Sequence, residues 1–218
     1  MSIKKSVLSS ACLFAATLLS TASISTVANA SEVENPWLVR LRVIDVIPDE
    51  GADIEAIGGD AKISDRIVPE LDISYFFSEN FAAELILATN PHNVSAVDTA
   101  LGDVDLGDVT LLPPTLLAQY HFSPRGAVRP YVGAGVNYTF FYDNDPGDVV
   151  SVNYDNGFGF ALQGGVDIPF NDTYFFNVDV KKLFLSTDVT VDAGAAGVVG
   201  ADVDIDPWIV GVGIGRRF

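Results

Sequence analysis

The chain is 218 residues long, with 29 acidic side chains against 12 basic ones and a formal charge of −17, yet 49% of it is apolar. That acid excess excludes a surface built for the phosphates of nucleic acid. Beyond the N-terminal region no run reaches the ~20 apolar residues a membrane helix needs, so the apolar residues are dispersed and their period decides the class.

Residues 1–30 carry Lys4 and Lys5, an apolar stretch from Val7 to Leu19 and the small-residue site STVANA, with Ala28 and Ala30. These features predict a secretory signal peptide cleaved after Ala30. An N-terminal membrane helix is the alternative, but serines and threonines interrupt the run. Residues 31–218 then form a single domain of charge −19, since Lys4 and Lys5 are removed. The only cysteine, Cys12, lies in the signal, so the exported domain has to be stable without disulfides.

Eight alternating segments follow. In WLVRLRVIDVI, Trp37, Val39, Leu41 and Val43 share one face, and Arg40 and Arg42 the other. In RIVPELDISYFF, Ile67, Leu71, Ile73 and Tyr75 oppose Arg66, Glu70, Asp72 and Ser74. Only SEN separates it from FAAELILA, where Phe81, Ala83, Leu85 and Leu87 oppose Ala82, Glu84, Ile86 and Ala88; so short a link predicts a hairpin. LLPPTLLAQYHF sets Leu112, Leu116, Ala118, Tyr120 and Phe122 against Thr115, Leu117, Gln119 and His121. RPYVGAGVNYTFFY sets Val132, Ala134, Val136, Tyr138 and Phe140 against Tyr131, Gly133, Gly135, Asn137 and Thr139. GFGFALQGGVDIPF opposes Phe158, Phe160, Leu162, Val166 and Ile168 to Gly159, Ala161, Gln163 and Asp167. TYFFNVDVKKLFL opposes Phe176, Val178 and Val180 to Asn177, Asp179 and Lys181. In PWIVGVGIGRRF, Trp208, Val210, Val212 and Ile214 alternate with Gly211, Gly213 and Gly215.

A period of two throughout predicts strands. Links after the second, fourth and sixth segments are short; the others are long and rich in Asp, Gly and Pro, and read as loops. That rhythm predicts an up-and-down sheet with one tight rim and one loop-bearing rim. The face opposite the large apolar residues is small and polar, with a few charges of both signs. It suits the narrow lumen of an eight-stranded barrel, and the aromatic-tipped apolar face suits lipid. In hydrocarbon an open edge would leave backbone groups unpaired, so the sheet has to close. The fold class is all-β: an eight-stranded antiparallel up-and-down transmembrane β-barrel, with periplasmic termini and turns. A soluble lipocalin-like barrel is the rival, although it has no need of an apolar exterior.

The stretches PELDISYFFSENFAAELILATNPH, LLPPTLLAQYHF with RPYVGAGVNYTFF, and the closing PWIVGVGIGRRF resemble the outer membrane protein W (OmpW) family over most of residues 31–218. The resemblance implies a Gram-negative outer membrane barrel with a narrow lumen, associated with passage of small hydrophobic molecules. It implies outer membrane lipid and lipopolysaccharide as surroundings, and the barrel-assembly machinery as a partner reading the terminal strand, with Trp208 and Phe218 as the signal. The segment VDVKKLFLST departs from the Arg–Tyr pair more usual in the family, and the Asp-rich loops do not carry over.

Four constellations bear on function. Arg40, Arg42, Glu70, Asp72, Glu84, Asp179 and Lys181 fall on the lumen face and have to pair there, as a structural plug or as a polar gate. Ile44, Val68, Ile86, Leu111 and Leu117, nearer the outer rim, line an apolar pocket or pack the lumen. Pro69, Pro113 and Pro114 interrupt two strand segments, as a lateral opening to the membrane or as bulges. The stretches DNDPGD and ADVDIDP read as a solvated acidic crown or as weak sites for hard cations, without the EF-hand pattern. His121, with Ser123 after it, and His92 lack a nucleophile and an acid in register. No enzyme, resident metal or cofactor is predicted. The alternative to a carrier of hydrophobic solutes is a plugged structural or surface-interaction barrel.

Overall fold

The structure is a computed structural model and describes residues 33–55 and 57–218; the predicted signal peptide and Cys12 lie outside them. The strands in chain order are β1 (Trp37–Ile47), β2 (Gly51–Ile54), β3 (Asp60–Ile63), β4 (Arg66–Phe76), β5 (Phe81–Ala88), β6 (Asn90–Thr99), β7 (Gly102–Leu112), β8 (Thr115–His121), β9 (Arg129–Asp145), β10 (Ser151–Tyr154), β11 (Gly157–Pro169), β12 (Tyr174–Phe184), β13 (Ser186–Asp192), β14 (Val198–Asp204) and β15 (Trp208–Arg217).

Eight of these close a barrel in the order β1, β4, β5, β8, β9, β11, β12, β15 and back to β1, every pair antiparallel. The closing ladder runs from Leu38 opposite Arg217 to Ile47 opposite Trp208. Short links at 77–80, 122–128 and 170–173 define one rim. Beside them aromatic rings pair edge to face: Trp37 on Tyr75 at 4.8 Å, and Phe81 on Tyr120 at 5.0 Å.

Burial is inverted relative to a soluble barrel. Ile67 is 71% exposed and Phe158 80%, whereas Arg40 and Glu84 are wholly buried. Large apolar side chains outside and charges inside fit a barrel whose solvent is lipid.

The long links are not the loops their composition predicts. They continue the barrel outward as two extensions: the outer end of β9 with β7, β6 and β3, and a separate sheet of β10, β13, β14 and β2. The reason is again a period of two. Asp202 and Asp204 are exposed while Val203 between them and Ile205 after them are buried, and Asp188 alternates with buried Thr187 and Val189. Aspartates that resemble loop residues by composition are the solvated face of short strands.

Pro113 and Pro114 also differ from expectation. They lie between β7 and β8 and split the fourth predicted segment, because proline has no N–H for the ladder. Pro69 remains within β4, opposite Val43.

Candidate functional site

Side chains fill the lumen in layers. At the tight rim Leu38, Phe76, Ala82 and Phe175 form an apolar floor. The Arg217 guanidinium lies 4.1 Å over the Phe76 ring and Arg129 5.0 Å over Phe175.

Above the floor the seven predicted charged residues meet. Arg40 contacts Asp72 at 3.1 Å, Glu84 at 3.0 Å and Asp167 at 2.7 Å. Arg42 contacts Glu70 at 2.9 Å, Asp72 at 2.6 Å and Asp179 at 3.3 Å. The Lys181 ammonium lies 2.7 Å from Glu70 and 2.9 Å from Asp179. Five carboxylates thus share three cations, and neutral donors complete the set. Gln119 and Gln163 donate to Glu84 at 2.7 and 2.8 Å, the Tyr131 hydroxyl to Asp179 at 2.8 Å, and Asn177 to Asp167 at 2.8 Å. Glycines leave room for this layer. A Cβ at Gly213 would stand 2.6 Å from the Arg42 side chain and one at Gly215 3.0 Å from that of Arg40.

Asp167, Tyr131, Asn177, Gln119 and Gln163 join the plug without having been grouped with it from sequence, although each falls on the inward phase of its segment. His121 is also inward, packed between Phe76 and Tyr131, with Nε2 3.2 Å from the Gln119 side-chain oxygen.

Ile44, Val68, Ile86 and Leu117 form an apolar collar above the plug, joined by Val46, Ala161, Leu183 and Ile209. Leu111 is displaced from the group expected of it. It belongs one level higher, to the apolar cluster of the outer extensions. There a cavity of about 110 Å³ opens, walled by residues such as Val94, Val109, Phe141, Val189 and Val203, with His92 and Tyr154 among its few polar side chains. A second cavity of about 20 Å³ shares His92, Leu111 and Ile205 with it. A third, of about 10 Å³, shares Asn90, Pro113, Leu183 and Ile209 with the second and reaches Glu70, Ala88 and Lys181.

The prolines mark a break in the wall beside that track. The β4–β5 ladder stops at Glu70 opposite Ala88, and pairing on that side resumes only where the Ser64 N–H donates to the Asn93 carbonyl at 3.1 Å. Residues 65–69, ending at Pro69, have no ladder partner there. The Arg66 side chain crosses the seam to the Pro91 carbonyl at 2.8 Å and to the Asn93 side-chain oxygen. One strand further, β5–β8 pairing ends at Ile86 opposite Thr115, and β6–β7 pairing begins at Asn90 opposite Leu111. Pro113 and Pro114 fill that gap, and the Thr89 and Tyr142 hydroxyls meet at 2.5 Å nearby.

Trp208 pairs with Ile47 and lies 5.2 Å beneath the Lys182 ammonium. Phe218 exchanges backbone hydrogen bonds with Trp37 at 2.7 and 3.2 Å and packs under Arg216 at 4.5 Å. Among the described residues no three carboxylate or imidazole groups converge as metal ligands.

The OmpW family profile matches residues 34–218. The uncharacterized outer-membrane protein y4mB of Sinorhizobium fredii is 43% identical, with 84% of this chain and 80% of that one aligned. Outer membrane protein W of Vibrio cholerae is 31% identical over 90% of this chain and 95% of its own. The crystal structure of OprG from Pseudomonas aeruginosa superposes with a TM-score of 0.77 at 29% identity, covering 84% of this chain and 95% of that one.

Proposed function

The chain belongs to the OmpW family of Gram-negative outer membrane barrels, which are not enzymes, and from that premise we propose that it carries small hydrophobic molecules from outside the cell into the outer membrane. The solute enters the apolar vestibule of the outer extensions and leaves sideways through the seam at Pro69, Pro113 and Pro114. The floor, the plug and both termini face the periplasm in this reading, and lipopolysaccharide surrounds the outer strands.

One observation carries it. The cavities share lining residues one with the next, and the last of them ends beside Pro113 and Ala88, where the ladders stop. Downward passage meets Arg40, Arg42, Glu84 and Asp72, packed with 1% exposure or less. A desolvated solute would gain nothing there, whereas lipid beyond the seam is as apolar as the vestibule.

The test gives the ladder back its donors. Pro69→Val with Pro114→Val is expected to slow uptake of a hydrophobic solute severalfold, measured in cells carrying equal amounts of folded barrel. Unchanged uptake would remove the lateral route. No uptake by the native chain above cells lacking it would leave a structural barrel.

A further inference from the structure

The vestibule is so apolar that its polar atoms define what it selects. Asn90 and His92 stand two residues apart on β6, both inward and each only 4% exposed. Asn90 lines the two small cavities beneath the vestibule, and its Oδ1 has no hydrogen-bond partner among the described residues. A buried acceptor left unmatched is costly, and burying it is justified when a donor arrives with a ligand.

His92 supplies a second acceptor. Its Nδ1 lies 2.7 Å from the Ser64 carbonyl oxygen. A carbonyl only accepts, so Nδ1 carries the proton, and in the neutral ring Nε2 is a bare acceptor. Burial, aided by the nearby Arg66 guanidinium, lowers the pKa of this ring and keeps it neutral. The ring lines both the vestibule and the cavity below it.

An aromatic wall completes the set. Asn90 is paired with Leu111 on β7, and Leu111 with Phe141 on β9, so the three form one cross-strand row. Tyr154 stacks on Phe141 at 5.5 Å, with planes 11° apart. Its hydroxyl has no partner among the described residues, and burial pushes its pKa up to about 12, so it keeps its proton.

We propose that the preferred solute is not a bare hydrocarbon but an apolar molecule bearing a hydroxyl or N–H donor, a hydroxylated arene above all. Its donor bonds the Asn90 carbonyl oxygen or His92 Nε2 while its ring lies against Phe141 and Tyr154. The inference rests on the transport reading and narrows its substrate class. A saturated hydrocarbon fits the same walls but leaves the acceptors unmatched, as in any site built to bond a hydroxyl.

The probes are 1-naphthol and naphthalene, titrated against the full chain in phosphatidylcholine nanodiscs, with empty nanodiscs subtracted. The native chain is expected to bind 1-naphthol about tenfold more tightly than naphthalene, the effect of one buried hydrogen bond. Asn90→Leu with His92→Phe should erase most of that advantage while leaving naphthalene binding unchanged or tighter. Heat-modifiable gel mobility confirms folding, and each single variant, expected to lose part of the advantage, stands in if the pair does not assemble. Equal binding of the two probes by the native chain, or an advantage that survives both substitutions, overturns the donor preference and leaves carriage of apolar solutes standing. Binding of neither probe overturns both.

Discussion

Arg40 shows how much one side chain holds in this interior. It is fully buried and reaches three carboxylates on three different strands, β4, β5 and β11. Removing one partner of a buried ionic group usually costs about 3–5 kcal/mol, because the opposite charges stay buried without it. Arg40→Met keeps much of the volume and is expected to lower the urea midpoint of the purified barrel. Adding Asp167→Asn should restore part of the loss, since one stranded carboxylate is then neutral. A midpoint indifferent to Arg40→Met would show that the plug contributes nothing to stability. Seven of the plug's eight charged residues were legible in the sequence as a group because alternation assigns each an inward phase and β1 neighbours β4 directly. Asp167 was legible as inward but not as Arg40's partner. It stands on β11, separated from β1 by β12 and β15, and the contact spans the lumen. Alternation along a strand gives facing, and carries no information about which residues meet across a closed sheet.

At the scale of elements the barrel strands were legible, apart from the start of the fourth, and the outer strands were not. The barrel segments alternate large apolar with small polar residues over ten positions or so. Those of the separate outer sheet, β2, β10, β13 and β14, run over only four to seven, with Asp or Thr alternating with Val in the longer two and glycine in others. Short runs of that kind resemble loops until a neighbouring strand pairs with them. Their inward valines, with no apolar neighbour in a loop, make the vestibule once β13 pairs with β10 and β14. A concrete consequence follows for the β13–β14 hairpin. Replacing residues 187–204 by Asn-Gly, a two-residue hairpin turn, removes Val189, Val191 and Val203 with Thr187, Ala193, Val199 and Ala201, one side of the vestibule wall, while sparing β12 and β15. The variant is expected to reach the outer membrane and show heat-modifiable mobility, yet to bind no hydrophobic probe. Binding that survives the replacement would place the solute in the collar around Ile44 and Leu117 instead.

Under the proposed function the whole molecule separates two routes that an ordinary pore combines. The axis is blocked by ionic groups bonded to one another; the side is closed only by a few side-chain contacts, Arg66 to Pro91 and Thr89 to Tyr142 among them. Water and ions need the axis, since a hydrated ion cannot cross a seam that opens into hydrocarbon. An apolar solute needs the side, since the plug offers it no apolar surface. The native barrel is therefore expected to be nearly silent to ions in a planar bilayer while it carries hydrophobic solute. Replacing Arg40, Arg42 and Lys181 by Ala, together with Glu70, Asp72, Glu84, Asp167 and Asp179 by Ser, clears the plug without stranding a charge. That variant should conduct ions at single-channel level, and its solute uptake should stay close to that of the native chain, because the vestibule, the collar and the prolines are intact. Uptake that rises in step with ion conductance would mean that the solute also travels along the axis, and the seam would then be only a flaw in the wall.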